Sequence, residues 1–417
     1  MSALKAMDAL QPADLRAEQE RRLREVLDIA RTLKGYARTG TGGRLETWPI
    51  LTKQDILGHE DDFAIGTLYP SPHAETGGTT GQPLRMKRSV ANIAFEQALI
   101  DWLCLKAGID WRTARTAFLK GDTIKPALIA AGRYWADVGD KKRIYSSHHI
   151  TAATIEVYRR SLIDYAPDIL FCYPSSLESL SQHLGEHSGV RIPLVFSSSE
   201  TLHPSTLSLA RDRLSAQVLD YYGHSERIVS AYSFNGEPYR FIPAYGHAEL
   251  IPCGEGLARI VATTVRPRDQ IFIRYDTGDI ARVGSDDPII LQAIGLGLRP
   301  FSGIDGRDNE FVELEDGRRI VGINQIARGA YGASSVQLHR IAPTAIDIYI
   351  VPAENFGPET GVCVLDNFYL KFPPAILAHL WLVNAPLREP NGKAPILLRR
   401  PVLPDTRTPL RLPARAD

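Results

Sequence analysis

The sequence has no net charge: 48 lysines and arginines stand against 48 aspartates and glutamates in 417 residues. That balance removes the overall bias that gathers nucleic acids or anionic membrane surfaces. Any phosphate must then be captured by a local site. Cysteine is scarce. Cys104, Cys172, Cys253 and Cys363 lie far apart, and none falls in a C-x-x-C spacing that clips a zinc or runs thiol exchange. They read as reduced, mostly buried thiols. No run of about 18 uncharged apolar residues occurs, so a membrane-spanning helix is not expected. The start, Met1 to Lys5, leads into the charged stretch Asp14 to Arg24 without the apolar core of a secretory signal. A soluble cytoplasmic protein is expected. Internal repeats and low-complexity tracts are absent too.

What remains is ordinary globular composition, 44% hydrophobic and 23% charged, which excludes wholesale disorder. The length is two to three times the ~150-residue domain prior, so more than one unit is expected. Residues 12 to 34 space Leu15, Leu23, Val26, Leu27, Ala30 and Leu33 as one face of a helix. Gly35 to Gly43 follows as a glycine-rich break, and Thr52 is placed to cap a short helix. From about 165 to 222, apolar runs at Ile169–Tyr173, Ile192–Phe196 and Gln217–Tyr221 alternate with helical stretches near Ser175–His187 and Pro204–Leu214. This is the pattern of βαβ units on a parallel sheet. Ligands collect at the carboxyl ends of such strands, where the loops Ser197–Glu200 and Tyr222–Glu226 fall. Between 239 and 283 the reading is antiparallel and barrel-like, with strands at Tyr239–Ile242, Ala248–Ile251, Leu257–Thr264 and Ile271–Tyr275. After Gly303–Asp308, strands at Ile320–Ile326, Val336–Ile341 and Ile346–Val351 and a helix near Pro374–Val383 suggest a small α+β unit. The expected fold is thus α/β. A large domain, 1–305, carries mostly parallel sheets and a barrel-like part, and a smaller mobile α+β domain covers 306–417.

Three segments could carry chemistry. Glu75–Pro83 packs glycines and threonines into a loop whose N–H and hydroxyl donors can converge on phosphate oxygens. Gln82 after its last glycine breaks the Walker spacing, and a plain hairpin turn is the competing reading. In Asp220–Glu226 an aromatic ring could stack on a base, Gly223 would admit a ligand close to the backbone, and Glu226 could hold a magnesium ion. A strand end with a surface acid is the alternative. In Arg274–Asp279, a turn following a strand, the aspartate could accept two vicinal hydroxyls. His148 and His149 read as a surface loop, since adjacent residues on a strand face opposite ways. No Ser/His/Asp set is apparent.

In this order the segments resemble the adenylate-forming (ANL) superfamily, in its phenylacetate-CoA ligase and CapK-like branch. The resemblance rests on Thr76–Pro83, Tyr222–Glu226, Arg274–Asp279, the pair Gly306-Arg307, Pro386–Lys393 and Pro49–Lys53, and it spans about residues 45 to 400. It implies an ATP-dependent ligase that converts a carboxylic acid to an acyl-adenylate and passes the acyl group to an acceptor. Coenzyme A is expected first, with an amine, sugar or protein acceptor as alternatives. A non-catalytic nucleotide-binding relative is the reading from another class. By the resemblance, Thr76, Gly77, Gly78, Thr79, Thr80 and Gly81 wrap the ATP phosphates, and Tyr222 and Gly223 border the adenine. Glu226 would coordinate Mg²⁺, Asp279 would bind the ribose, and Arg307 would lie near the ribose at a hinge. Lys393 would be the catalytic lysine, and Glu200 joins the cofactor-binding set. The sequence departs from the family at Gln82 and at Glu310, which follows Asn309 at the hinge. The tail Pro401–Pro409 offers a rival alignment in which Lys393 is a surface residue. Oligomeric state is left open, a homodimer included.

Overall fold

The computed structural model describes all residues except 1, 38–42, 67–70, 76–83, 120–123, 267–268, 306–311, 316–318, 321–322, 328–329, 331, 354, 388–394, 400, 402, 404–406 and 411–417. The phosphate-loop residues Thr76 to Gly81, the hinge pair with Arg307, Glu310 and Lys393 therefore lie outside the described residues.

The expected βαβ run forms as read. Strands Ile169–Cys172, Leu194–Ser198 and Gln217–Gly223 pair in parallel, with helices Pro174–Leu184 and Pro204–Leu214 between them. Both helices begin with proline at the first position, where its missing N–H is no loss. Thr116–Leu119 and Lys142–Tyr145 extend the parallel core. Trp135–Asp137 and the pair Ser230–Phe234 and Arg240–Phe241 add antiparallel edges, giving eight strands. The central strands are buried throughout, as a sheet covered on both faces requires.

The antiparallel part differs from expectation in two places. Arg240–Phe241 pairs with Ser230–Phe234 and so belongs to the large sheet. The stretch Ile271–Ile273 is no strand of the second sheet: Ile271 N–H donates to the Phe63 carbonyl, and Ile273 N–H to the Tyr36 hydroxyl. The donors of Ile271 and Ile273 are thus claimed by the N-terminal segment, and Phe272 N–H between them donates to the Thr264 hydroxyl at 3.2 Å. The strand begins at Tyr275 instead, in a four-stranded sheet ordered Gly246–Gly254, Leu257–Thr264, Tyr275–Arg282, Gly303–Asp305. The helix Pro12–Ala30 buries Leu15, Val26, Leu27 and Ala30 as the spacing predicts, and a Thr52–Asp55 capping box opens the helix Lys53–Ile56.

Past residue 311 a separate core gathers on a five-stranded sheet. Its order is Leu397–Leu398, Ala333–Ala342, Ala345–Pro352, Leu377–Leu382, Thr408–Pro409. The expected helix near Pro374–Val383 is overturned: Leu377–Leu382 is a strand paired in parallel with Ala345–Pro352. Ala378, Leu380 and Leu382 face one core while Trp381 and Val383 face another, the two-residue period of a strand. The helix of this unit is Pro358–Tyr369. Among the described residues no helix is long and apolar enough to cross a membrane.

Candidate active site

The strand Gln217–Gly223 ends at the edge of the parallel core, and the chain turns there through His224, Ser225 and Glu226 before returning as Ser230–Phe234. Gly223 has a local reason: a Cβ there would meet the Tyr221 ring at 2.9 Å, because residues two apart on a strand share a face. Arg227 closes the turn with φ +57°, a left-handed conformation that a side chain disfavours.

The Arg274–Asp279 segment comes to this corner from the other sheet. It is not a turn after a strand, as expected, but a bulge within one. Pairing with Leu257–Thr264 shifts between Arg259 and Val261, so Thr277, Gly278 and Asp279 stand opposite Ile260 alone. Gly278 takes φ +77°, and the Thr277 hydroxyl donates to the Ile260 carbonyl at 2.9 Å. The bulge aims Asp279 at the corner. Arg274 anchors the segment behind it, with Nε 3.1 Å from Glu249 Oε1 and Nη1 donating to the Trp48 carbonyl at 2.8 Å. Leu51 of the Pro49–Lys53 stretch brackets the same place, its N–H on the Arg274 carbonyl and its carbonyl accepting from Asp276 N–H.

Two tyrosines lock the halves together. Tyr222 donates its hydroxyl to Asp279 Oδ2 at 2.8 Å, and Tyr275 donates to Glu226 Oε1 at 2.8 Å. His224 Nδ1 lies 3.3 Å from Glu226 Oε2. Burial pushes the Glu226 carboxyl upward, but His224 and the Tyr275 hydroxyl outweigh it and hold it down at about 2. An ionised carboxylate is thus kept in a largely desolvated place. Tyr275 stands inside the Arg274–Asp279 motif without any sequence signal of its bond to Glu226, and Arg227 beside the turn carries none either.

Glu200 is not brought to this corner. Its Oε2 accepts from Ser175 N–H at 2.9 Å, capping the helix Pro174–Leu184, and burial raises its carboxyl above the usual range. It stands two residues past Ser198, which pairs with Tyr221, so both loops lie at the same end of the sheet. Ser146, Ser147, Ser197 and Ser198 in the loops and strand ends there, and Ser175 and Ser176 in the first turn of the helix Pro174–Leu184, are all buried. The expected surface loop at His148-His149 is corrected. His148 is buried, and His149 Nδ1 meets the Ser146 hydroxyl at 2.8 Å while its ring stacks on Tyr134. Because this stretch leaves the strand, the alternation argument does not apply to it. The glycine- and threonine-rich loop is bracketed by a hairpin, His73–Glu75 with Arg85–Lys87.

Whether the corner suits a divalent cation can be tested on its chemistry. The Glu226 carboxylate would fit such an ion as an oxygen donor, since each of its oxygens keeps a second lone pair beside its present neighbour. Among the described residues no group of three or more His, Cys, Asp or Glu gathers to cage a metal. Magnesium needs no such cage, since it is held by one or two carboxylates together with substrate phosphates.

A large α/β body with a parallel sheet and an antiparallel annex, followed by a smaller sheet-and-helix unit, is an architecture the chain shares with a solved acyl-CoA ligase. The chain superposes on 2-hydroxyisobutyryl-CoA ligase in complex with 2-HIB-AMP and CoA in the thioesterification state. The TM-score is 0.56 at 15% identity, covering 94% of this chain and 91% of that one. With the same ligase in the postadenylation state with 2-HIB-AMP, the TM-score is 0.52 at 16% identity, covering 94% and 90%. At these identities the likeness is one of fold. No protein-family model matches the sequence, and no curated protein sequence does.

Proposed function

We propose that the chain activates a carboxylic acid with ATP, forming an acyl-adenylate and pyrophosphate, and then transfers the acyl group, coenzyme A being the first acceptor. The observation that carries this reading is the joined corner, in which Tyr222 holds Asp279 and Tyr275 holds Glu226 at the carboxyl end of the parallel sheet. The fold adds support: one structural neighbour is a ligase solved with 2-HIB-AMP and CoA. The phenylacetate-CoA ligase and CapK-like subtype and the boundary at 305/306 belong to the same proposal.

The chemistry requires such a site. A carboxylate is a poor electrophile because its charge is delocalised, so its oxygen must become part of a better leaving group. Attack on the α-phosphate of ATP achieves this. The carbon–oxygen bond of the acid is kept, a new oxygen–phosphorus bond forms, and the bond to pyrophosphate breaks. Two anions meet, and cations placed where charge accumulates stabilise the transition state. Lys393 is proposed for that place, with Thr76 to Gly81 around the phosphates and Arg307 near the ribose. Asp279, fixed by Tyr222, would accept the ribose hydroxyls, and Tyr222 and Gly223 would border the base. Glu226 would hold Mg²⁺, which when bound offsets phosphate charge. The acid is proposed to lie along the loops Tyr145–Thr151, Phe171–Ser176 and Ser197–Thr201, with Glu200 among them.

The test is ATP-dependent pyrophosphate release and exchange across aryl, fatty, hydroxy and amino acids, followed by acceptor assays with CoA. At least one acid is expected to support exchange, and Glu226→Gln should lower it by about 10–100-fold at fixed Mg²⁺. Absence of exchange with every acid class would remove the proposal.

A further inference from the structure

Glu226 is gripped on both of its flanks by one element. The helix Val90–Lys106 follows directly on the hairpin, and Arg88, just before it, donates its Nη2 to the Ser225 carbonyl at 2.7 Å. Two turns into the helix, Glu96 accepts hydrogen bonds from the Tyr221 hydroxyl at 3.0 Å and the Tyr245 hydroxyl at 2.9 Å. Its Oε2 also lies 3.6 Å from Arg227 Nε. Residues 225 and 227 are therefore both held, with Glu226 between them.

The gripping element is itself built rigidly. Ser89 caps the helix by accepting from Asn92 N–H, and the buried Asp269 accepts from Ser89 N–H and from Asn92 Nδ2. The neighbouring Gln270 holds the hairpin arm, its Oε1 on Lys87 N–H at 2.9 Å and its Nε2 on the Glu60 and Arg85 carbonyls. Arg88 N–H donates to the Pro72 carbonyl at 2.9 Å, one step below the paired hairpin residues. One residue thus ties the hairpin base to the glutamate turn.

Such a frame has a reason to exist, because the turn it holds is strained. Arg227 adopts φ +57°, and a side chain stays in that region only where its surroundings over-determine it. Arg88 and Arg227 also bring two like charges near each other inside a half-buried cluster, balanced by Glu96 and Glu226. A fold seeking stability alone has simpler solutions.

We propose that Arg88 and Glu96 are positioning residues that set the direction of the Glu226 carboxylate, and so the affinity of the site for Mg²⁺ with ATP. The inference rests on the function proposed above. Neither residue touches the reacting atoms.

The experiment is calorimetric titration of the full chain with ATP at a series of Mg²⁺ concentrations, which needs no knowledge of the acid, with thermal melting alongside. Arg88→Ala and Glu96→Gln are each expected to raise the Mg²⁺ concentration for half-maximal ATP binding by about 3–10-fold, below the roughly 10–100-fold seen when a group bonded to the metal ligand itself is removed, because both act through the residues on either side of it. Arg88→Lys, which keeps one donor for the Ser225 carbonyl, should restore part of it. Lys106→Ala removes the bond to Asp8 at 2.8 Å from the far end of the same helix, and should lower the melting temperature without moving the Mg²⁺ dependence. Should Arg88→Ala fail to fold, the near-isosteric Glu96→Gln carries the test. An unchanged Mg²⁺ dependence in Glu96→Gln and Arg88→Ala, against a wild type that binds ATP, overturns the positioning role alone. A wild type that binds no ATP with Mg²⁺ overturns the function beneath it.

Discussion

Asp220 sits in the strand that leads to the glutamate turn, paired with Ser197 of the neighbouring strand and 6% exposed. Burial pushes its carboxyl from the usual 3.8 up to about 6, although the Tyr239 hydroxyl donates to it and Ser197 assists. The folded state therefore binds its proton more tightly than the unfolded chain. Stability from this group is complete below the unfolded value and declines as pH rises through the folded one. At about 1.4 kcal/mol per pH unit, ionised Asp220 costs up to roughly 3 kcal/mol. Asp220→Asn keeps an oxygen for the Tyr239 hydroxyl. It is expected to raise the melting temperature at pH 7–8 and to remove the decline between about pH 4 and 6.5; equal pH profiles for wild type and variant would refute this. The sequence displayed Asp220 and Tyr239 but not their meeting, nor that of Tyr222 with Asp279 or Tyr275 with Glu226. Each pair is joined only once strands from different parts of the chain are laid side by side. The motif residues were legible as chemical types at suggestive spacings, while Arg88 and Glu96 sit in no motif and become informative only through what they grip.

Among elements, those whose partners are near in sequence were the most legible. The strands 169–172, 194–198 and 217–223 and their helices follow one another as a winding unit, and each apolar run is answered by the next. Ile271–Ile273 and Leu377–Leu382 were not legible, because a short apolar run fits helix, strand or buried loop until a distant donor or sheet edge claims it. The two-residue strand Thr408–Pro409 shows how little ladder an edge can have when side chains dock it. The preceding Arg407 lies over the Trp381 ring at 4.3 Å and reaches the Tyr349 hydroxyl at 3.2 Å. It also reaches the buried Asp347, which accepts from Tyr349 at 3.0 Å and lies 3.1 Å from His379 Nδ1. Arg407→Ala leaves Asp347 with two partners, so the loss is set at about 1–3 kcal/mol, below that of an orphaned buried charge. Chemical denaturation should show that loss, and limited proteolysis should show faster cleavage near the tail. Unchanged stability and cleavage would mean the tail is held by its backbone alone.

At the scale of the molecule, the candidate corner is assembled on the large sheets, while the candidate lysine belongs to the chain that follows Ala345–Pro352 and Leu377–Leu382 by way of Pro386. The two alignments of that region make different demands. If Lys393 acts, its stretch must be presented from a fixed base. Gln337, 2% exposed, provides one: its Nε2 donates to the Leu387 carbonyl at 2.9 Å and the Pro395 carbonyl at 2.8 Å, and its Oε1 accepts from Leu387 N–H at 2.7 Å. A single buried amide thus holds Leu387 and Pro395 together. In the rival alignment the functional segment is the tail, but its Arg407 is already engaged by Asp347 and Trp381 within the small sheet. Lys393 is therefore kept as the proposal. Lys393→Ala removes one cation from a developing negative charge, a change comparable to deleting one oxyanion donor, so pyrophosphate exchange is expected to fall by about 10²–10³-fold. ATP affinity should stay within about twofold, because an interaction made only in the transition state leaves ground-state binding in place. Exchange at the wild-type rate would make Lys393 a surface residue and favour the rival tail alignment.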